Sequence, residues 1–480
     1  MPKNNNFPEI VNGWPNICGR ENEIEEFATP ADDLYASVSD VAFDHIQSGF
    51  GVALHMHQPA IPAGAGGELI SNLQHMMEHQ DIGDNHNAPV FVQCYSRMSD
   101  IIRELCSQGK SPRIMLDYSG NLLWGLRQMG QGDVIENLKR ITCDKKYYHT
   151  TEWLGTTWSH AVATSTPVPD IKLHVMAWRH HFAAIFGMEA SKRVKGFSPP
   201  EMHLPIHPDV CYAYIKALNE CGYEWLMVQE HTIENPDGSG IRKAHVPHKL
   251  VAKNSLGETV AITALVKTQG SDNKLIGQMQ PFYEAQGVGR QDIAGKSLPA
   301  FVCQIGDGEN GGVMMNEFPP AYMKTYNEIG GNVVALNGSE YLEFLKKAGV
   351  AKKDFIPVQP ISQHRLWQKI KDFGPGAADR AIDEVKKEDG GFNLDKGSWT
   401  NDKNWVKGYE DVMGPINSLS VAFHRKVDGK NIDTTSAKYR AALVYLLVSQ
   451  TSCFRYWGSG AWTDYAKEIC RCGMDAVKAL

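Results

Sequence analysis

The chain has 480 residues, 42% of them hydrophobic and 21% charged, with a formal net charge of -7, an ordinary composition for a folded globular chain. Lys+Arg 48 against Asp+Glu 55, with no basic stripe, gives no footprint for nucleic acid or an anionic membrane surface. No apolar stretch reaches the length of a membrane span, Met1 to Gly13 holds no apolar signal core, and ten scattered cysteines form no CxxC pair, so free thiols in the cytoplasm are expected.

Residues 1–45 read as a partly irregular arm. Gly51 to His57 is a buried strand broken by Gln58-Pro59, and a polar loop with Gly64, Gly66 and Gly67 follows. Ser96 to Cys106 has helical spacing. Arg113 to Tyr118 is a second strand, stopped by Ser119-Gly120, and Leu122 to Gln128 is helical. Ile171, Val175, Trp178, Phe182 and Ile185 share one helical face.

A helix over Val210 to Asn219 leads into strands over Trp225 to Gln229, Val260 to Val266 and Phe301 to Ile305. Asn332 to Leu336 is a further strand, and Ser339 is the expected N-cap of a helix ending at Lys347. This alternation predicts a mainly parallel sheet or barrel. Pro357 and Pro360 mark a linker. Beyond it helices dominate, at Ala377 to Glu388 and Ala437 to Gln450.

Two carboxylates each follow a short apolar run and sit in a Gly/Pro-framed loop. Glu201 closes Val194-Lys195-Gly196-Phe197-Ser198-Pro199-Pro200, and Asp307 follows Ala300-Phe301-Val302-Cys303-Gln304-Ile305-Gly306. A parallel barrel presents catalytic groups in this way, at the carboxyl ends of its strands. Two such carboxylates are the minimum equipment for cleaving a glycosidic bond. His55 and His57, two apart on a strand, share one face and suit hydrogen bonds to sugar hydroxyls. Glu152 to His160 combines a carboxylate, Trp153, Trp158 and a histidine, and Ser452 to Gly458 with Trp462 forms a second aromatic cluster.

As a set these segments resemble glycoside hydrolase family 57, which has five short motifs in a fixed order. His55-Met56-His57-Gln58-Pro59 matches the first, and Glu152 to His160 maps to the second. Pro199-Pro200-Glu201 carries the nucleophile of the third. Asp307-Gly308-Glu309 carries the acid/base of the fourth, and Ser452 to Trp457 the fifth, with Cys453 where Asp is common.

The resemblance implies an α/β fold: an incomplete, TIM-like (β/α)7 barrel over 46–354, after an arm at 1–45. A C-terminal helical region at 355–480 would complete the active site. It also implies retaining chemistry on α-glucans such as starch, glycogen or maltooligosaccharides, by hydrolysis or transfer. Glu201 and Asp307 would be catalytic, and His55, His57, Gln58, Glu152, Trp158, His160, Glu309 and Trp457 would contact substrate. No metal or other cofactor is expected, and no nucleic-acid or membrane partner. Two other readings are a metal-dependent deacetylase or mannosidase-like hydrolase using His55 and His57 with Asp307, and a glucan-binding protein without turnover.

Overall fold

Seven short parallel strands close into a ring in the computed structural model of the chain, which describes residues 7–27, 33–268, 273–309, 312–394, 397, 410–456 and 460–480. They are β1 (Ser48–Met56), β2 (Ile114–Tyr118), β3 (Thr151–Gly155), β4 (Gly196–Phe197), β5 (Trp225–Gln229), β6 (Thr259–Lys267) and β7 (Ala300–Asp307). Pairing runs from β1 through β6 in chain order, and β7 then closes the ring between β6 and β1. Strands buried on both faces need near-continuous apolar runs, and Ile114 to Leu116 and Trp225 to Val228 are such runs.

Alternation along each strand sorts the side chains. Ala53, Met115, Leu154, Met227, Leu265, Cys303 and Ile305 pack together inside the ring. Their neighbours Leu54, Leu116, Leu226, Val266 and Val302 face outward into the larger core. Helices α1 (Ala88–Ser107), α2 (Gly120–Gln128), α3 (Gly132–Thr142), α4 (Val168–Phe186) and α5 (Pro208–Glu220) lie on the crossovers between β1 and β5. Between β5 and β6 the chain instead lays His248–Lys253 antiparallel to β6.

Three local expectations need correction. Val333–Ala335 is a strand, but it pairs with the first residues of β1 and stands outside the closed ring. Asn337, not Ser339, caps α6 (Gly338–Lys347): its N–H donates to Glu340 at 3.1 Å, which leaves Ser339 inside the first turn. Pro357 and Pro360 do not lie in a linker. They belong to a strand, Ile356–Pro360, parallel to His248–Lys253 and beyond the ring, where a missing N–H is tolerated.

The C-terminal helices α7 (Glu410–Val427), α8 (Ala437–Ser449) and α9 (Ala461–Lys478) pack on one another and on the barrel. Ile416, Phe423, Leu443, Leu447 and Ile469 join the same apolar core as the outer barrel helices. All ten cysteines are free thiols. No described helix is long and apolar enough to cross a membrane.

Candidate active site

The strand register assembles the first row of the site. Asp307 at the end of β7 lies opposite His55 on β1, and His55 lies opposite Asp117 on β2. All three have the parity of the inward-facing residues, so they point into the ring at its carboxyl end. His55 Nδ1 stands 2.9 Å from Asp117 Oδ2. Burial alone would lower the pKa of His55. The charge and hydrogen bond of Asp117, helped by Asp307 and Glu309, outweigh it and raise the value to about 9. His55 is therefore an imidazolium at neutral pH.

His57 sits just past β1, with Nδ1 2.7 Å from Ser119 Oγ. The ring of His160, from the loop after β3, stacks on both histidines, at centroid distances of 4.5 Å from His55 and 4.4 Å from His57, which are themselves 6.4 Å apart. Burial, then the nearby His55 charge, holds His57 well below the usual histidine range. Burial, followed by His57 and His55, does the same to His160. The stack is thus one cation and two neutral rings.

Glu201 follows β4, in a loop whose prolines fix the approach. Its Oε1 lies 3.8 Å from His160 Nδ1. Glu201 and His160 both take left-handed backbone, at φ 59 and φ 60. Residues with a Cβ adopt that conformation only where their surroundings impose it, commonly at functional sites.

Glu309 lies two residues past Asp307. Its Oε1 accepts from the His57 N–H and the Tyr95 hydroxyl, each at 3.4 Å. Burial, then the charge of Asp307, raises its pKa to about 8, so it is mostly protonated at neutral pH. Behind it, Gln58 Nε2 donates to the Tyr95 hydroxyl at 3.1 Å and Gln58 Oε1 accepts from Asn72. Gln58 is buried and supports Tyr95 rather than facing the cleft.

The structure brings together His55, His57, His160, Glu201, Asp307 and Glu309, and besides Gln58 it leaves two more expected residues out. Glu152 points into the ring at its opposite, amino end, fully buried, where its carboxylate accepts from the Ser339 N–H at 3.0 Å and from the Ser339 hydroxyl. It seats the N-terminus of α6 against the barrel floor. Trp158 is no exposed platform. It is fully buried against Trp124 and His181, and a Cβ on Gly120 would lie 2.1 Å from its ring. Trp457 lies outside the described residues.

Asp117, Ser119 and Tyr95 join the site without having been singled out, and Ser452, read only as the start of the fifth motif, joins it through His160. Asp117 carried a usable signal: Ile114-Met115-Leu116-Asp117 before Ser119-Gly120 repeats the apolar run, carboxylate and turn of Asp307. The other three touch the site only through long-range contacts. Among the described residues, no group of three or more His, Cys, Asp or Glu is arranged to hold a metal ion. Carboxylates on separate strands, a fixed cation and two neutral imidazoles equip the pocket for acid, base and nucleophilic work on a neutral polar substrate.

No family model and no curated protein matches the sequence. Solved structures do match in shape. The 4-α-glucanotransferase from Thermococcus litoralis is 16% identical, with a TM-score of 0.53, over 90% of this chain and 58% of that one. A GH57 branching enzyme from Thermococcus kodakaraensis is 12% identical, with a TM-score of 0.48, over 89% of this chain and 88% of that one. An α-amylase from Thermotoga maritima is 10% identical, with a TM-score of 0.49, over 90% and 92%. The chain spans 58% of the length of the glucanotransferase, and it shares that protein's fold. The fold expected from the family 57 resemblance, a seven-stranded barrel followed by helices, is present.

Proposed function

We propose that this chain is a retaining glycoside hydrolase or transglycosylase acting on α-glucans. Glu201 is the nucleophile and Asp307 the general acid/base. One observation carries the reading: a continuous set of contacts joins the two carboxylates across the mouth of one barrel. Asp307 is in register with His55, His55 stacks on His160, and His160 Nδ1 is 3.8 Å from Glu201. The five motifs and the fold shared with a 4-α-glucanotransferase point the same way.

In this reading Glu201 attacks the anomeric carbon while Asp307 protonates the departing glycosidic oxygen. A glycosyl ester forms on Glu201. Asp307, now ionised, takes a proton from water or from an acceptor sugar hydroxyl, and that oxygen displaces Glu201. The His55 cation stabilises negative charge on the neighbouring carboxylates. The protonated carboxyl of Glu309 and the neutral rings of His57 and His160 offer hydrogen bonds to sugar hydroxyls without adding charge.

The test is product chromatography on maltooligosaccharides and soluble starch with wild type, Glu201→Gln and Asp307→Asn. Wild type is expected to shorten or reshuffle the ladder, and each variant to lose at least about 10³-fold in rate. A new ladder longer than the substrate marks transfer, and shortening alone marks hydrolysis. Wild-type activity that survives either substitution would overturn the assignment.

A further inference from the structure

His160 presents a physical problem that the barrel does not solve. Its backbone is left-handed, at φ 60, a conformation that crowds the Cβ of any residue but glycine. Its ring must also stay stacked on two others while Nδ1 faces Glu201. Barrel residues supply the neighbouring rings, and among the described residues the hydrogen bonds to the His160 ring and carbonyl come from a distant part of the chain. The Ser452 N–H donates to the His160 carbonyl at 3.2 Å, and the Ser452 hydroxyl lies 2.7 Å from His160 Nδ1. Ser452 is 1% exposed, so water cannot replace its hydroxyl.

Resting on the proposed reading of the site, we propose that Ser452 is a positioning residue. It holds the His160 ring in one orientation and one tautomer beside Glu201, and it is itself held by a polar clamp between the C-terminal helices and α4.

The clamp centres on Asp170, a fully buried carboxylate in the first turn of α4. Gln450, at the end of α8, donates through Nε2 to Asp170 Oδ2 at 2.6 Å. His174, one turn along α4, donates through Nε2 to Gln450 Oε1 at 2.8 Å. His424 of α7 donates through Nε2 to Asp170 Oδ1 at 2.7 Å. The Ser159 hydroxyl donates to the Leu447 carbonyl, so the residue before His160 is tied to α8 as well. Residues 447–452 are thereby placed against the β3 loop by bonds that ignore substrate. A hydroxyl can donate to or accept from Nδ1, but the carboxylate of Glu201, 3.8 Å from the same nitrogen, only accepts. Together they favour the tautomer with the proton on Nδ1, with Ser452 accepting from it and Nε2 left as an acceptor.

The experiment uses the full chain. Ser452→Ala removes the hydroxyl, and Gln450→Leu loosens the clamp without touching His160. On maltooligosaccharides, Ser452→Ala is expected to lower kcat about 10- to 100-fold with KM moving much less, since misplacement of a site group by about an ångström costs that much. Gln450→Leu is expected to reproduce part of the loss. The second readout is independent of activity: ¹⁵N NMR of labelled histidines, with the His160 signals assigned by their absence in His160→Gln. Wild type should show the shift pair of a single neutral tautomer, and Ser452→Ala the averaged shifts of two.

Unchanged kcat together with an unchanged His160 tautomer in Ser452→Ala overturns the proposal. If wild type does not act on glucans, the functional reading fails. The NMR arm then decides the positioning role by itself, with a retained single tautomer in Ser452→Ala as the overturning result.

Discussion

Asp117 Oδ2 and His55 Nδ1 lie 2.9 Å apart on neighbouring, in-register strands at the mouth of the barrel. The pair makes His55 a fixed cation, raised to about 9 by Asp117 against the opposing effect of burial. A raised histidine pKa stabilises the fold fully below the unfolded value of 6.5, and the contribution is lost as pH rises through about 9. Asp117→Asn removes the charge, so the His55 midpoint should fall to or below 6.5. An NMR pH titration of His55 in both proteins reads this, and an unmoved midpoint in the variant refutes the pairing.

Glu309 should set the alkaline limb of activity. Its pKa is raised to about 8, mainly by burial, and ionising it removes the hydrogen-bond donor that its protonated carboxyl offers a sugar hydroxyl. In the proposed reaction, kcat/KM should fall as pH rises through about 8. Glu309→Gln mimics the protonated form, so that limb should vanish from its profile. A variant profile with the same limb would locate it in another group.

Glu152 makes a prediction about stability. Burial raises its pKa from 4.5 to about 8, although the Ser339 hydrogen bonds pull the other way. The unfolded chain loses this proton at lower pH than the folded chain, so stability falls between those two values. Glu152→Gln can accept from the Ser339 N–H and donate to its hydroxyl without ionising. Urea unfolding at about pH 5 and about pH 8 should show a smaller difference for the variant than for wild type. An equal difference would mean that Glu152 ionises normally where it stands.

Arg113 and Glu340 form a buried two-pronged pair, Nε to Oε2 at 2.8 Å and Nη2 to Oε1 at 2.9 Å. Glu340→Ala strands the guanidinium with only Asp40 as a partner carboxylate and also removes the acceptor for the Asn337 N–H. It should cost about 3–5 kcal/mol, the usual penalty for breaking a buried pair. Glu340→Ala with Arg113→Met should recover part of that loss in the same urea titration. A double variant as unstable as the sum of the singles would show that the two side chains do not couple.

Much of the barrel was legible because its strands are short apolar runs ended by turn residues. Trp225 to Gln229 and Phe301 to Asp307 are such runs, and burial on both faces permits little else. Pro357 and Pro360 misled because a proline is read as a break, whereas a strand beyond the ring accommodates it. Glu152 and Trp158 misled for a different reason. Their residue types suit a sugar site, but Glu152 lies near the start of β3 and faces the floor, and Trp158 fills the space left by Gly120.

The sequence by itself determined most of the barrel strands, though not Thr151–Gly155 or Gly196–Phe197, that Glu201 and Asp307 follow apolar runs in rigid or glycine-rich loops, and that His55 and His57 share a face. Local spacing decides these, since side-chain alternation and turn chemistry act over a few residues. Only the tertiary structure decided that His55 is charged while His57 and His160 are neutral, and that His160 stacks on both of the others. It alone decided that Ser452, 292 residues along the chain from His160, holds that ring. Strand register, burial and the docking of the C-terminal helices set those facts, and each depends on partners far apart in sequence, which no local pattern encodes.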